Sequence, residues 1–233
     1  KHTSVGSLII VYRVSEAKLH YYNIYGGAVN GKRVIIQGWG NVAGAAAYYL
    51  AQAGATIVGV IDIVGGIINK NGFTYSEIGS LLDQRSSNFL ESKDMIPFEQ
   101  ANKEIWDIGA EIFVPAAASR LLSQNQLDKM INNGLEVISS GANVPFADKE
   151  IFFGPISKDA DEKISVIPDF IANCGMARAF SYFMQDNCEM NDTAIFTAVS
   201  TTIKDAILLV HKDNKSKKNI SKTAFEIALK QLI

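Results

Sequence analysis

Cysteine, histidine and net charge are all scarce in this chain, and each scarcity excludes something. The 233 residues hold two cysteines, Cys174 and Cys188, and three histidines, His2, His20 and His211. Neither cysteine belongs to a C-x-x-C pair and the histidines are scattered, so the spacing of a metal site is missing. Two thiols are too few for a disulfide scaffold, and a reduced, cytoplasmic setting is the expectation. Lys and Arg number 22 against 24 Asp and Glu, a formal charge of −2. Such a chain has no global field to hold a nucleic acid. The one basic run, lysines at 212, 215, 217, 218 and 222, reads first as a solvated loop. The opening "KHTSVGSLIIVYRV" imitates a signal peptide, but Arg13 interrupts its apolar region and no small-residue cleavage site follows. The first residue is Lys1 and not Met, which reads as a chain that begins inside something longer.

What is present suits a globular fold. A hydrophobic share of 48% and a charged share of 20% supply a real core for one large domain or two small ones. A helical pattern over 5–25 leads the chain, followed by a loop, "GGAVNGK" (26–32). "RVIIQ" (33–37) and "TIVGVID" (56–62) read as buried strands, and the alanine-rich 41–53 between them as a helix that Gly54 ends. Residues 65–73 read as a turn-rich excursion, and 75–82 as a helix. Strands are expected within 110–117, 135–145 and 164–169, with a helix over 121–132. From Phe170 onward the pattern is helical. Alternation of strand and helix predicts an α/β fold: a doubly wound, mostly parallel sheet with helices on both faces and a helical C-terminal extension. The expected parts are a leading helix (1–25), a core (26–170) and a helical segment packed on it (171–233).

The glycine-rich stretch 33–62 has the length of a membrane span, but five glycines, Gln37 and Asp62 punctuate it, so no membrane is expected as partner. "GWGNVA" is G-x-G-x-x-A, placed between a predicted strand and a predicted helix. Gly38 permits the tight turn, Gly40 lets the backbone approach a pyrophosphate, and Ala43 lets helix and strand pack closely. The helix start offers free N–H groups and a positive dipole end to phosphates. Asp62, at the end of the second strand, is placed to accept hydrogen bonds from ribose hydroxyls. Its charge repels a 2′-phosphate, which favours NAD over NADP. Together these predict a Rossmann-like dinucleotide-binding core over 26–170. By contrast "GGAVNGKR" (26–33) only nearly spells a phosphate loop, because Arg33 stands where Ser or Thr should and a strand follows instead of a helix.

Four more stretches surround that turn: "HTSVGS" (2–7), "IFVPAAA" (112–118), "SGANVP" (140–145) and "VIPDFIANCG" (166–175). In this order they closely resemble the cofactor domain of the glutamate/leucine/phenylalanine/valine dehydrogenase family, from Lys1 to about Asn187. The resemblance implies an enzyme that interconverts an L-amino acid with its 2-oxo acid and ammonia, passing hydride to a nicotinamide cofactor across a cleft between two domains. It implies Thr3 at the nicotinamide carboxamide and Gly38, Gly40, Asn41 and Val42 at the pyrophosphate and nearby ribose. It places Asp62 at the adenosine ribose, Ala116 and Ala117 along the cofactor, Asn143 on its nicotinamide side, and Asn173 facing the substrate cleft. Each also has a structural reading: Thr3 as a helix cap, Asn143 as a turn residue, Asn173 as a loop stabiliser.

The family's catalytic lysine, substrate-carboxylate lysine and catalytic aspartate belong to an N-terminal domain whose motifs are missing from these residues. No catalytic residue is therefore expected in this chain, which is expected to be inactive alone, and the full-length protein is expected to be a homo-oligomer. Ser140 stands where many members have Glu, Met176 where many have a second glycine, and Phe180 in the register of a substrate-contacting serine. A wall of Met176 and Phe180 would suit an apolar amino acid side chain. A non-catalytic module that senses NAD or another adenosine nucleotide would share the glycine turn, but would not need Thr3, Asn143 and Asn173.

Overall fold

The structure is a computed structural model that describes residues 13–231. Thr3 lies outside the described residues. The leading helix is described as α1 (Arg13–Tyr25). There follow β1 (Arg33–Gln37), α2 (Asn41–Gln52), β2 (Thr56–Asp62), β3 (Gly65–Phe73), α3 (Tyr75–Asp83) and α4 (Phe98–Glu104). After a single 3₁₀ turn come β4 (Ile112–Pro115), α5 (Gln124–Asn132), β5 (Val137–Ser139), α6 (Pro155–Lys163) and β6 (Ser165–Ile167). The chain finishes with α7 (Asp169–Ala172), α8 (Gly175–Phe183), α9 (Asp192–Asp213) and α10 (Ile220–Lys230).

One sheet carries all six strands in the order β3-β2-β1-β4-β5-β6. Every pairing is parallel except β2 with β3. This is the doubly wound order, whose connections reverse between β1 and β4 and open a crevice at the strands' carboxyl ends. Its antiparallel edge corrects the reading of 65–73 as a turn-rich excursion: that segment is a nine-residue strand. Its glycines serve close packing. A Cβ on Gly66 would stand 2.7 Å from the Ala101 side chain of α4, and one on Gly72, at φ +91°, 2.0 Å from Thr56 Cγ2. Glycine inside a strand marks such close approach.

Alternation along β1 sorts the core into two layers. Val34 and Ile36 join a cluster with α1, α2 and α9, whereas Ile35 joins the other with Phe113, Trp106 and Leu127. Both faces of the sheet are thereby covered, as parallel sheets require. The alanines of α2 (Ala43, Ala45, Ala46 and Ala47) are fully buried, which lets this helix lie close on the strands. The helix ends where Gly54 takes φ +87°, with Gly54 N–H donating to Ala51 and Ala55 N–H to Leu50, both satisfying carbonyls of the last turn. Helix α9 has 22 residues and the hydropathy of a membrane span. Its stripe Ile195, Val199, Ile203, Ile207 and Val210 is nevertheless buried in the core, and Ser200 on it bonds His20 and Glu16 of α1. It packs as a core helix of this fold.

Candidate dinucleotide-binding site

The turn after β1 is shaped by two glycines with different causes. Gly38 has φ +98°, and a Cβ there would stand 2.8 Å from the Ala116 carbonyl oxygen and 2.9 Å from Ala117 Cα. The protein's own backbone therefore demands glycine at this position. Gly40 is different. Its φ of −67° and ψ of −170° are open to any residue, and a Cβ on it would meet nothing within 4 Å. No internal packing accounts for the missing side chain, and the space beyond Gly40 is open.

Gly40 is also the N-cap of α2, and no side chain caps that helix. Three other helices are capped by their own side chains: Thr74 with Glu77 closes a capping box on α3, Ser123 with Gln126 on α5, and Asn191 accepts from Ala194 N–H at α9. The start of α2 shares its groove with the carboxyl ends of β1 and β4, and its amides have no side-chain cap; a helix N-terminus so placed attracts an anion.

A groove of about 570 Å³ runs past this turn, and Gly38, Gly40, Asp62, Ala116 and Ala117 all line it. Asp62 ends β2 and is 9% exposed, with its Oδ2 accepting a 2.9 Å bond from Leu90 N–H. That bond orients the carboxylate and helps offset its burial. Asn41 is exposed on the first turn of α2, and Val42 is half-buried with its side chain packed on the core, so any ligand contact of Val42 is through its backbone.

Sequence reasoning missed several groove residues. Ile63, Phe98 and Leu121 are exposed apolar walls, and Asn102 and Gln126 supply amides. Those amides are fixed: Asn102 Oδ1 accepts from Trp106 Nε1 at 2.9 Å and from Gln126 Nε2 at 3.2 Å. Apolar walls with a few oriented polar groups are what an aromatic base needs. Arg85 was also missed. It reaches over the turn, donating to the Trp39 carbonyl at 3.1 Å and to Asn41 Oδ1 at 2.8 Å, and so holds a cation beside the start of α2. It lies in a loop with no motif of its own.

Asn143 and Asn173 meet elsewhere on the same edge. Asn173 Nδ2 donates to Asn143 Oδ1 at 3.1 Å, and both line a cavity of about 550 Å³ with Phe170, Cys174, Ala177 and Phe225. The next residue, Val144, takes φ +47°, a strained state for a β-branched side chain. Asp169 holds it there, accepting Val144 N–H at 2.8 Å, and also accepts Phe170 N–H, so this carboxylate positions the loop. Met176 and Phe180 are 46% and 59% exposed and line neither cavity, with Ala177 turned to the second one instead. The helical spacing of α8 makes this division, since consecutive positions face different sides.

Taken together, the sheet order, the uncapped helix start and the groove define a dinucleotide-binding domain of the Rossmann type. Comparison with known proteins narrows the class. The sequence profile of the Glutamate/Leucine/Phenylalanine/Valine dehydrogenase family matches residues 1–233, and the chain belongs to that family. It is 34% identical over 160 residues to the NADP-specific glutamate dehydrogenase of Saccharolobus shibatae, covering 66% of this chain and 34% of the relative. It is 29% identical over 155 residues to the NAD-specific glutamate dehydrogenase of Staphylococcus aureus, with the same coverage. Among solved structures, one glutamate dehydrogenase superposes with a TM-score of 0.78 at 19% identity, over 98% of this chain and 52% of that one. The hetero-hexameric glutamate dehydrogenase of Thermus thermophilus, in its Leu-bound form, gives 0.72 at 20% identity, over 96% and 52%. At such identities these two establish the fold. The chain spans about half the length of the solved relatives it matches.

Proposed function

We propose that this chain is the cofactor-binding part of an NAD(P)-dependent amino acid dehydrogenase, which oxidatively deaminates an L-amino acid to a 2-oxo acid and ammonia. The observation that carries the reading is Gly40: its backbone is ordinary, its Cβ position is open, and it is the N-cap, at the crevice, of a helix that no side chain caps. A dinucleotide's diphosphate fits that space, with the amides of α2 as donors and Arg85 nearby as a cation. When bound, the nicotinamide accepts the hydride. The chain's own residues bind and orient. Asp62 receives the adenosine ribose, the Phe98 and Leu121 walls take the base, and Ala116 and Ala117 border the cofactor's path. The Asn143–Asn173 pair, braced by Asp169, faces the nicotinamide and the substrate.

NAD is the cofactor this reading favours, because a buried carboxylate at the end of β2 repels a 2′-phosphate. The groups that move protons are expected from another segment of the whole protein, so these residues alone are expected to give no turnover. The assembled enzyme is read as a homo-oligomer; the Thermus relative, a hetero-hexamer, supports assembly into an oligomer and not the identity of its subunits. Two free cysteines support a cytoplasmic setting.

Thermal shift of this chain with NAD⁺, NADP⁺ and ADP-ribose tests the reading. NAD⁺ is expected to stabilise most, by about 2.7 kcal/mol at a hundredfold excess over its Kd. A shift with ADP-ribose equal to that with NAD⁺ would remove nicotinamide recognition and favour a nucleotide sensor. A larger shift with NADP⁺ would overturn the role given to Asp62.

A further inference from the structure

We propose that a second ligand site, for a small phosphorylated anion, lies at the end of the sheet opposite the dinucleotide groove. It is a cavity of about 520 Å³ at the amino ends of the strands, lined by Lys32, Lys163, Lys217 and Lys218 and by a single carboxylate, Glu136. Lys32 directly precedes β1, Glu136 precedes β5, and Ser165 begins β6, whereas Gly38 and Asp62 sit at the far ends of their strands. Five strand residues separate the two ends by about 17 Å.

Two of the four cations are already engaged. Lys32 Nζ lies 2.9 Å from both oxygens of Glu136, with Glu111 at 3.9 Å. Lys163 Nζ is 2.7 Å from Asp159 and 3.9 Å from Asp128. Lys217 and Lys218 have no carboxylate partner among the described residues. Among the described residues the Lys217 ammonium bonds the Gly26 carbonyl, at 3.4 Å. Lys217 and Lys218, neighbours in sequence, thus carry the charge at this concavity that no described carboxylate compensates, and an anion would neutralise it.

The loop that carries these two lysines is not a loose solvated tail. Asn214 Nδ2 donates to the carbonyl of Lys218 at 2.8 Å, and Asn214 Oδ1 accepts from Ser216 N–H at 2.9 Å. Asn219 N–H donates to the Asp161 carbonyl at 2.7 Å. Ser165 Oγ donates to the Lys217 carbonyl at 2.6 Å and also bonds the buried Tyr21 hydroxyl at 2.6 Å, tying the loop to the sheet. A cationic loop fixed in advance binds without the cost of ordering it. Tyr22 forms an aromatic wall, with Lys32 Nζ 5.9 Å from its ring centroid. Gly26, at φ +88° with open space beyond its Cα, leaves the rim clear. Lysine acts as a point charge with three rotatable donors, which serves the several oxygens of a phosphate without fixing its orientation. Two sequence features without a part in dinucleotide binding, the "GGAVNGK" loop and the C-terminal lysine run, thus meet in one place.

Amide chemical-shift titration of the 233-residue chain with inorganic phosphate, at ionic strength held constant with sodium chloride, tests the site. Saturable shifts are expected at Gly26, Gly27, Ser165, Lys217 and Lys218. The double variant Lys217→Gln/Lys218→Gln, which alters only exposed side chains, is expected to weaken them by about tenfold or more while leaving any shifts at Gly38–Asn41 intact. Shifts at this end that rise without saturation, that chloride alone reproduces, or that persist in the double variant would overturn the proposal. Shifts confined to Gly38–Asn41 would overturn it as well and leave the dinucleotide reading standing.

Discussion

Gly38 and Gly40 stand two residues apart and are glycine for unrelated reasons. The first is forced by a positive φ and the backbone of Ala116, the second by nothing inside the protein. Spacing alone announced both, because G-x-G-x-x-A carries its mechanism in the sequence. Asp62 was legible for the same reason. Arg85 and the Asn102–Gln126 pair were not, since their roles come from loops and helices that only the folded chain brings to the groove. Met176 and Phe180 were placed by register, but register does not say which face of α8 meets a cavity. Another residue was invisible to patterning: Lys18 of α1 is fully buried, and among the described residues its ammonium finds no acceptor. Burial pushes its pKa well below the usual lysine range. The unfolded chain then holds a proton that the folded one sheds, so this group makes stability rise with pH from the depressed value up to the ordinary value of about 10.4. Lys18→Met is expected to raise unfolding free energy by about 1–3 kcal/mol in urea titrations at pH 7, and to flatten the rise between pH 7 and pH 9. A destabilised variant with the slope intact would show that Lys18 has a partner.

Elements here are joined by carboxylates that cap one another's ends. Asp148 accepts Ile156 and Ser157 N–H at the start of α6, where Pro155 needs no donor partner. Asp161, buried on α6, accepts Ser221 N–H and Lys222 N–H, each at 2.9 Å, and so fastens α10 to the core. Asp161→Ala is expected to cost about 1–2 kcal/mol. In hydrogen exchange α10 should lose protection first, while β1 and β4 keep theirs. An even loss over the whole chain, or none, would contradict the clamp. The misreading of β3 belongs to this scale too. Three glycines and two asparagines in 65–73 spell turns locally, yet the edge position beside β2 and the close approach of α4 make them a strand. The β1–α2–β2 unit was legible because its apolar runs are buried on both faces and its helix ends at a glycine.

On the scale of the molecule, one sheet with two dissimilar ends organises everything described. Its carboxyl ends hold the glycine turn, Asp62 and the Asn143–Asn173 pair. Its amino ends hold a basic cavity. The fold class followed from alternating strands and helices, and the family from several short loops in order; of these, 112–118, 140–145 and 166–175 lie at the carboxyl ends of the strands. The amino-end cavity could not be read in advance, since its lysines lie up to 186 positions apart between Lys32 and Lys218. The central claim is that a dinucleotide's diphosphate rests on the amides that open α2, in the space Gly40 leaves free. Calorimetric titration of NAD⁺ into the wild-type chain and into Gly40→Val tests it most directly. The account predicts that the valine, at a cap where it costs about 1 kcal/mol of stability, leaves the chain folded and weakens NAD⁺ binding by about a hundredfold or more. A folded variant that binds NAD⁺ as tightly as the wild type would contradict it.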